Sequence, residues 1–325
     1  MEVKRKAKSA SLPKAVQSLQ TTRDDTSTSA LGSLSRPNNN SNLKKAQKLP
    51  HNACRIALSI SVIILHNPKP TVMAGSPNSN LRGFNHAVQT LLKQPTQFLP
   101  HLTIPTFTHL PENLGPHLIN AKKGSQAQIP TPEKPPHTPT IRALVLDKDN
   151  TLCAAKTTSF PPQILAKLSS LRASPTSPFN QTTNPHSILI VSNRAGSHPR
   201  FDGEISALEA QLAHLRIPVF RLPAGTEKKP FCGEEVVQWF RERGVVDSPH
   251  EIAVVGDRLG TDVLMAGMMG SWSVWCKEGV FDVGMEGKPE RNILEKMEVW
   301  IEWFLREKGG YRAPLPMGWE KHKQS

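Results

Sequence analysis

The chain has 325 residues, with 40 Lys and Arg against 27 Asp and Glu, 29 Pro, 4 Cys and 37% hydrophobic residues. That length allows one large or two modest domains, and the low apolar fraction implies that part of the chain packs no core. Residues 1–140 hold 17 basic and 5 acidic side chains while residues 141–325 hold 23 and 22, so +12 of the net +13 precedes residue 141 and the rest is nearly neutral.

The basic excess argues against a specific nucleic-acid binder, because residues 1–83 contain no Phe, Trp or Tyr to stack on bases. Cys54, Cys153, Cys232 and Cys276 are far apart and form no Cys-x-x-Cys pair, which argues against a disulfide framework or a structural zinc site. Residues 1–72 are read as a disordered basic tail. Their Lys, Ser, Thr and Asn content is that of a transit peptide, or of an extension ahead of Met73. The run Ile56–Leu65 is ten residues long, short of the ~20 needed to span a bilayer, so no transmembrane helix is expected.

Residues 73–140 form a second region. Leu81, Phe84, Val88, Leu91 and Leu92 recur at helical spacing. The apolar, proline-punctuated run at 98–110 then reads either as a clasp on the following domain or as a membrane-surface anchor. A Pro, Thr and Lys linker occupies 121–140.

From 141 to 310 short apolar runs alternate with helical patterns, ahead of a tail at 311–325. Strands are expected at Ala143–Leu146, Ile188–Val191, Val219–Leu222, Ile252–Val255 and Trp272–Trp275. Helices are expected near Pro162–Leu171, Ile205–Leu215, Glu234–Arg243 and Asp262–Met269. A closing helix should carry Leu294, Met297, Trp300, Ile301 and Phe304 on its apolar side, and 173–186 reads as a surface loop. The pattern predicts an α/β fold, a Rossmann-like parallel sheet with helices on both faces.

Ligands of such a sheet gather beyond the carboxyl ends of its strands. The residues there are Asp147 to Thr151, Ser192 and Asn193, Lys228 and Lys229 before Pro230, and Gly256 and Asp257 with Asp262 five residues on. ALVLDKDNTL at 143–152, VSN at 191–193, KKP at 228–230 and VVGDRLGTD at 254–262 resemble, in order, the four motifs of the haloacid dehalogenase-like superfamily. DKDNT together with GDRLGTDVLMAGMMGSW, and the preceding LPHLTIPTF, resemble the mitochondrial phosphatidylglycerophosphate phosphatases of fungi and plants.

The resemblance implies the following roles. Asp147 is the nucleophile, forming an aspartyl-phosphate, and Asp149 the general acid and base, which must carry a proton to serve as the acid. Mg²⁺ is held by Asp147, the Asp149 backbone carbonyl and Asp257, an oxygen-only set suited to that ion. Ser192 and the Asn193 N–H bind phosphate. Lys229 neutralises it, with Lys228 as the alternative. Asp262 supports the metal site, and the Thr151 hydroxyl fixes the loop through backbone hydrogen bonds.

Only 40 residues separate Thr151 from Ser192 and 36 separate Ser192 from Lys229, too few for an inserted cap domain. The site is therefore expected to be open, which suits a phosphate carried on a macromolecule or on a membrane surface, and the resemblance implies a phospholipid substrate at such a surface. The resemblance implies removal of the terminal phosphate of phosphatidylglycerophosphate for cardiolipin synthesis, by a peripheral protein on the matrix side of the mitochondrial inner membrane. The alternative is a soluble phosphatase for a small phosphorylated metabolite or nucleotide.

Overall fold

A computed structural model describes residues 79–119, 138–223, 226–280 and 293–319. The tail expected over 1–72, the run at 56–65, Met73 and nearly all of the 121–140 linker lie outside them.

Helix α1, Ser79–Lys93, carries the expected 81–92 periodicity. The segment after it is a clasp. Phe98, Leu99, Ile104, Phe107 and Leu110 are buried, and Leu102–Ile104 forms strand β1, which pairs in parallel with the last strand, β6, Trp272–Cys276. The anchor alternative for 98–110 is thereby corrected, because its apolar side chains are committed to the core. Pro100 and Pro105 bracket only three strand residues, too short a run for a period-2 pattern to stand out.

The other strands are β2 Ala143–Leu146, β3 Ile188–Val191, β4 Val219–Phe220 and β5 Ile252–Gly256. All pair in parallel, in the order β1-β6-β5-β2-β3-β4. Strand side chains alternate between faces. Leu144, Leu146, Ile188 and Ile190 thus enter one core while Ala143, Val145, Leu189 and Val191 enter another. Burial on both sides is why these strands read as continuous apolar runs.

The remaining helices are α2 Gly115–Ile119, α3 Pro162–Ala173, α4 Asp202–Leu212, α5 Gly233–Glu242, α6 Leu264–Met269 and α7 Ile293–Trp303. Three features depart from the sequence reading. Leu259–Val263 is a π-helical turn, so the helix expected from Asp262 starts at Leu264. On α7, Ile301 is buried but Leu294 and Trp300 are exposed, while Glu298 and Glu302 turn inward to meet Arg258 and Arg306. The 173–186 insert is not a loose surface loop: the buried Arg172 guanidinium donates to the carbonyls of Phe179, Asn184 and Pro185 and to that of Leu215. Cys153, Cys232 and Cys276 are buried free thiols, in keeping with a small-hydrophobe role.

His101 ties the clasp to the sheet. Its Nδ1 accepts the Ser273 N–H at 3.0 Å and its Nε2–H donates to the Pro314 carbonyl at 2.9 Å. Burial holds the ring neutral and depresses its pKa from 6.5 to about 4, against the pull of the Pro314 carbonyl. The stability this neutral ring contributes is complete above pH 6.5. It is lost as pH falls toward about 4, because the unfolded chain then binds a proton that the folded chain refuses. Denaturation midpoints of the wild type should fall across that window more steeply than those of His101→Gln. Equal slopes would contradict this account.

Candidate active site

The chain runs from β2 to β3 and β4 on one side of the sheet and returns through β5 and β6 on the other. The crevice at this reversal lies between β2 and β5. Leu146 is in register with Ile190 on one side and Val255 on the other, so the residues after these strands emerge together. Such a crevice is where parallel sheets bind ligands.

Asp147 follows β2 and is 8% exposed, Asp257 follows β5, and Asp262 is buried in the π-helical turn. Oxygens of these three carboxylates lie within 4.8 Å of one another. Lys229, which precedes Pro230, is 7% exposed; its Nζ donates to Asp147 Oδ1 and, at 2.7 Å, to Asp262 Oδ1. The Lys229 backbone N–H donates to Asn193 Oδ1 at 3.0 Å, so the second residue after β3 holds the lysine in place. Lys229 therefore joins the carboxylates, and both it and Lys228 line a neighbouring cleft.

Charge dominates this cluster. Burial raises the Asp147 carboxyl well above its ordinary range; Lys229 opposes the rise and Asp262 reinforces it. Asp257 is also raised well above its ordinary value, first by burial and then by Asp147 and Asp262. Burial lowers the Lys229 ammonium, but Asp147 and Asp262 outweigh it and hold its pKa above the usual lysine value. One ammonium among three carboxylates leaves the pocket short of positive charge. The donors are all oxygen, and a hard divalent cation fits both the donor set and the deficit. The fit rests on the chemistry of these residues alone.

Asp149 departs from the expected arrangement. Its carboxylate does not join the other three. It pairs at 2.8 Å with Nζ of Lys148, which is completely buried, and accepts the Lys156 N–H at 2.8 Å. Burial alone would raise its pKa, but Lys148 and the Lys156 N–H more than compensate and hold it below the ordinary value. The structure thus holds Asp149 ionised, not protonated as the acid role requires at the outset. Lys148 in turn donates to the Thr157 carbonyl at 2.9 Å and meets Glu204 at 3.1 Å. Sequence reasoning missed Lys148 and Glu204; the available signal was a lysine between two site aspartates, where alternation sends it the opposite way.

The loop is also fixed differently. The Thr151 Oγ1 is buried and makes no hydrogen bond among the described residues. Backbone groups close the turn instead: Leu152 and Cys153 N–H both donate to the Lys148 carbonyl at 3.0 Å, and Asn150 N–H donates to the Cys153 carbonyl at 2.8 Å. Ser192 is buried after β3, its Oγ accepting the Arg194 N–H at 3.3 Å. Asp262 Oδ2 accepts the Arg258 N–H at 3.2 Å, so both its oxygens are engaged.

Four motif segments thus converge on one crevice with a carboxylate cluster, a buried lysine and a serine hydroxyl, the constellation of a phosphoryl-transfer protein on a parallel α/β fold. Residues 81–281 match the model of the mitochondrial PGP phosphatase family. A Saccharomyces cerevisiae protein named as a mitochondrial phosphatidylglycerophosphatase is 34% identical over 215 residues, covering 66% of this chain and 93% of that one. A Schizosaccharomyces pombe protein named as a probable mitochondrial phosphatidylglycerophosphatase is 31% identical over 224 residues, covering 68% and 90%. Among solved structures, a D,D-heptose 1,7-bisphosphate phosphatase from B. bronchiseptica is 15% identical, covering 51% of this chain and 99% of that one, with a TM-score of 0.29. The chain belongs to the mitochondrial PGP phosphatase family.

Gly256 shows how tightly the cluster is built. A Cβ there would overlap the Asp262 carboxylate, so only glycine lets that side chain fold back onto the end of β5. Gly256→Ala should displace Asp262 and with it Lys229, lowering kcat/KM by about a hundredfold, the scale expected of an ångström-sized misplacement. Steady-state kinetics beside a thermal melt will check this, and an alanine variant with wild-type kcat/KM would contradict it.

Proposed function

We propose that this protein is a Mg²⁺-dependent phosphatidylglycerophosphatase that removes the terminal phosphate of phosphatidylglycerophosphate to leave phosphatidylglycerol, the precursor of cardiolipin. The observation that carries this reading is the convergence of Asp147, Asp257, Asp262 and Lys229 in one crevice of a chain whose family match spans both the crevice and α1. The names of its fungal relatives support the substrate and a mitochondrial location, which we place at the matrix face of the inner membrane. The reading includes peripheral association with that membrane; among the described residues no helix is long and apolar enough to cross it.

In this reading Asp147 attacks phosphorus. A bond forms from its carboxylate oxygen to phosphorus, and the bond from phosphorus to the glycerol oxygen breaks. Lys229 opposes the burial-driven rise in the Asp147 pKa, aims its carboxylate, and offsets the negative charge that gathers in the transition state. The Ser192 hydroxyl and the Asn193 N–H hold phosphoryl oxygens. Asp149 is ionised at the outset; the negative charge of an arriving phosphate ester favours its protonation, and it takes that proton from solvent water. Asp149 then gives this proton to the leaving alkoxide and afterwards takes one from the water that attacks phosphorus, which breaks the bond from phosphorus to the Asp147 oxygen, frees inorganic phosphate and restores the Asp147 carboxylate. Asp147, Asp257 and the Asp149 carbonyl would hold Mg²⁺, which would screen the phosphate from the attacking carboxylate and polarise the phosphoryl oxygens.

Phosphate release from phosphatidylglycerophosphate in mixed micelles should require Mg²⁺ and stop on chelation. Asp147→Asn should lower it at least about a thousandfold, as removal of a nucleophile does. Preference for a panel of soluble phosphate esters over the lipid would overturn the lipid assignment, and full activity in the variant would overturn the nucleophile.

A further inference from the structure

Beside the carboxylate cluster lies a cleft of about 510 Å³, within the ~300–1,000 Å³ common for ligand sites. Its walls are two helices that flank the site. Helix α1 contributes Phe84, Val88 and Leu91, and α7 contributes Met297 and Ile301. Asn193, Lys228 and Lys229 line the same cleft, so its apolar interior is continuous with the phosphate-binding residues. Both helices are fastened there. Arg82 on α1 pairs with Glu227 and lies 5.2 Å from the Phe231 ring centroid, on the segment that carries both lysines. Glu298 on α7 accepts from the Arg258 side chain at 3.1 Å and from the Gly260 N–H at 3.2 Å, on the turn that carries Asp262.

The cations of the cleft differ. Lys229 is engaged with Asp147 and Asp262, and Arg258 with Glu298. Lys228 is half-buried and forms no ion pair among the described residues. The helices also expose apolar side chains to solvent: Leu81 and Leu92 on α1, and Ile293, Leu294, Trp300 and Trp303 on α7. Exposed apolar groups at the edge of an apolar cleft mark a site for a lipid or a protein partner, and the uncommitted cation beside a phosphate site favours an anionic lipid.

We propose that the cleft between α1 and α7 takes an acyl chain of the lipid phosphomonoester, and that Lys228 at its mouth binds the phosphodiester that the reaction leaves in place. The proposal rests on the phosphatase reading above and extends it to specificity. The two helices then do what an inserted cap does in enzymes with small substrates. They fix the substrate beside Asp147 and cover its approach, with the acyl chain itself completing the wall that excludes water.

The full-length protein with Mg²⁺ provides the test, on three substrates: dioctanoyl phosphatidylglycerophosphate, its deacylated water-soluble counterpart, and p-nitrophenyl phosphate. Val88→Trp, which narrows the cleft, should lower kcat/KM for the lipid relative to the deacylated compound by about tenfold or more. Lys228→Gln should raise KM for both glycerophosphate substrates by about tenfold relative to p-nitrophenyl phosphate, which has no phosphodiester. Unchanged ratios would overturn the proposal.

Should Val88→Trp fail to fold, a wild-type measurement decides. A substrate analogue with a photoreactive group at its acyl terminus should label residues within 84–91 or 294–301. Labelling elsewhere, as would follow if another part of the chain or a second copy filled the cleft, overturns the inference. A wild type that releases phosphate only from the soluble compounds would instead overturn the phosphatidylglycerophosphatase reading itself.

Discussion

Lys229 carries one positive charge into a pocket that holds Asp147, Asp257 and Asp262. Burying like charges together is costly unless counter-charge arrives with them. Much of the surrounding architecture serves this arrangement. The parallel register brings β2 and β5 to a common edge, Asn193 holds the Lys229 backbone, and the missing side chain of Gly256 makes room for Asp262. Three carboxylates against one ammonium leave a formal charge of −2, which a divalent cation would offset.

A second consequence follows from the absence of room for an inserted cap. Phosphoryl transfer to a carboxylate needs water kept away until the acyl-phosphate has formed. Here the elements beside the crevice come from outside the four motif segments: α1 before the first and α7 after the last. Their ties to the Glu227–Phe231 segment and to the π-helical turn set the cleft wall and the catalytic groups at a fixed relation. The clasp that follows α1 joins the sheet through β1 and His101, so the helix that walls the cleft continues directly into the core.

Much of this was legible in the sequence. Strands buried on both faces are continuous apolar runs, and β2, β3, β5 and β6 were visible to within a residue for that reason. The site residues were legible because polar groups directly after such strands have few structural reasons to be there. What escaped was set by tertiary contacts. Strand β1 is three residues between prolines and exists only because β6 offers an edge. The buried side chains of α7 include two glutamates whose arginine partners were invisible from periodicity. Arg172 orders an insert whose composition is that of a loop. Lys148 redirects Asp149 away from the other carboxylates, because pairing with the buried ammonium of the preceding residue outweighs the tendency of alternate residues to point together. Thr151, expected to brace the loop through its hydroxyl, makes no such bond among the described residues, and the backbone of its own turn closes the loop instead.

The central claim is that this buried cluster makes Asp147 the atom donor to phosphorus. The most direct measurement is a rapid-quench turnover with phosphatidylglycerophosphate, trapping any acyl-phosphate by borohydride reduction and locating the reduced residue by peptide mass spectrometry. The account predicts modification at residue 147 that rises and decays with turnover. Phosphate release with no trapped adduct, or an adduct on another side chain, would contradict it.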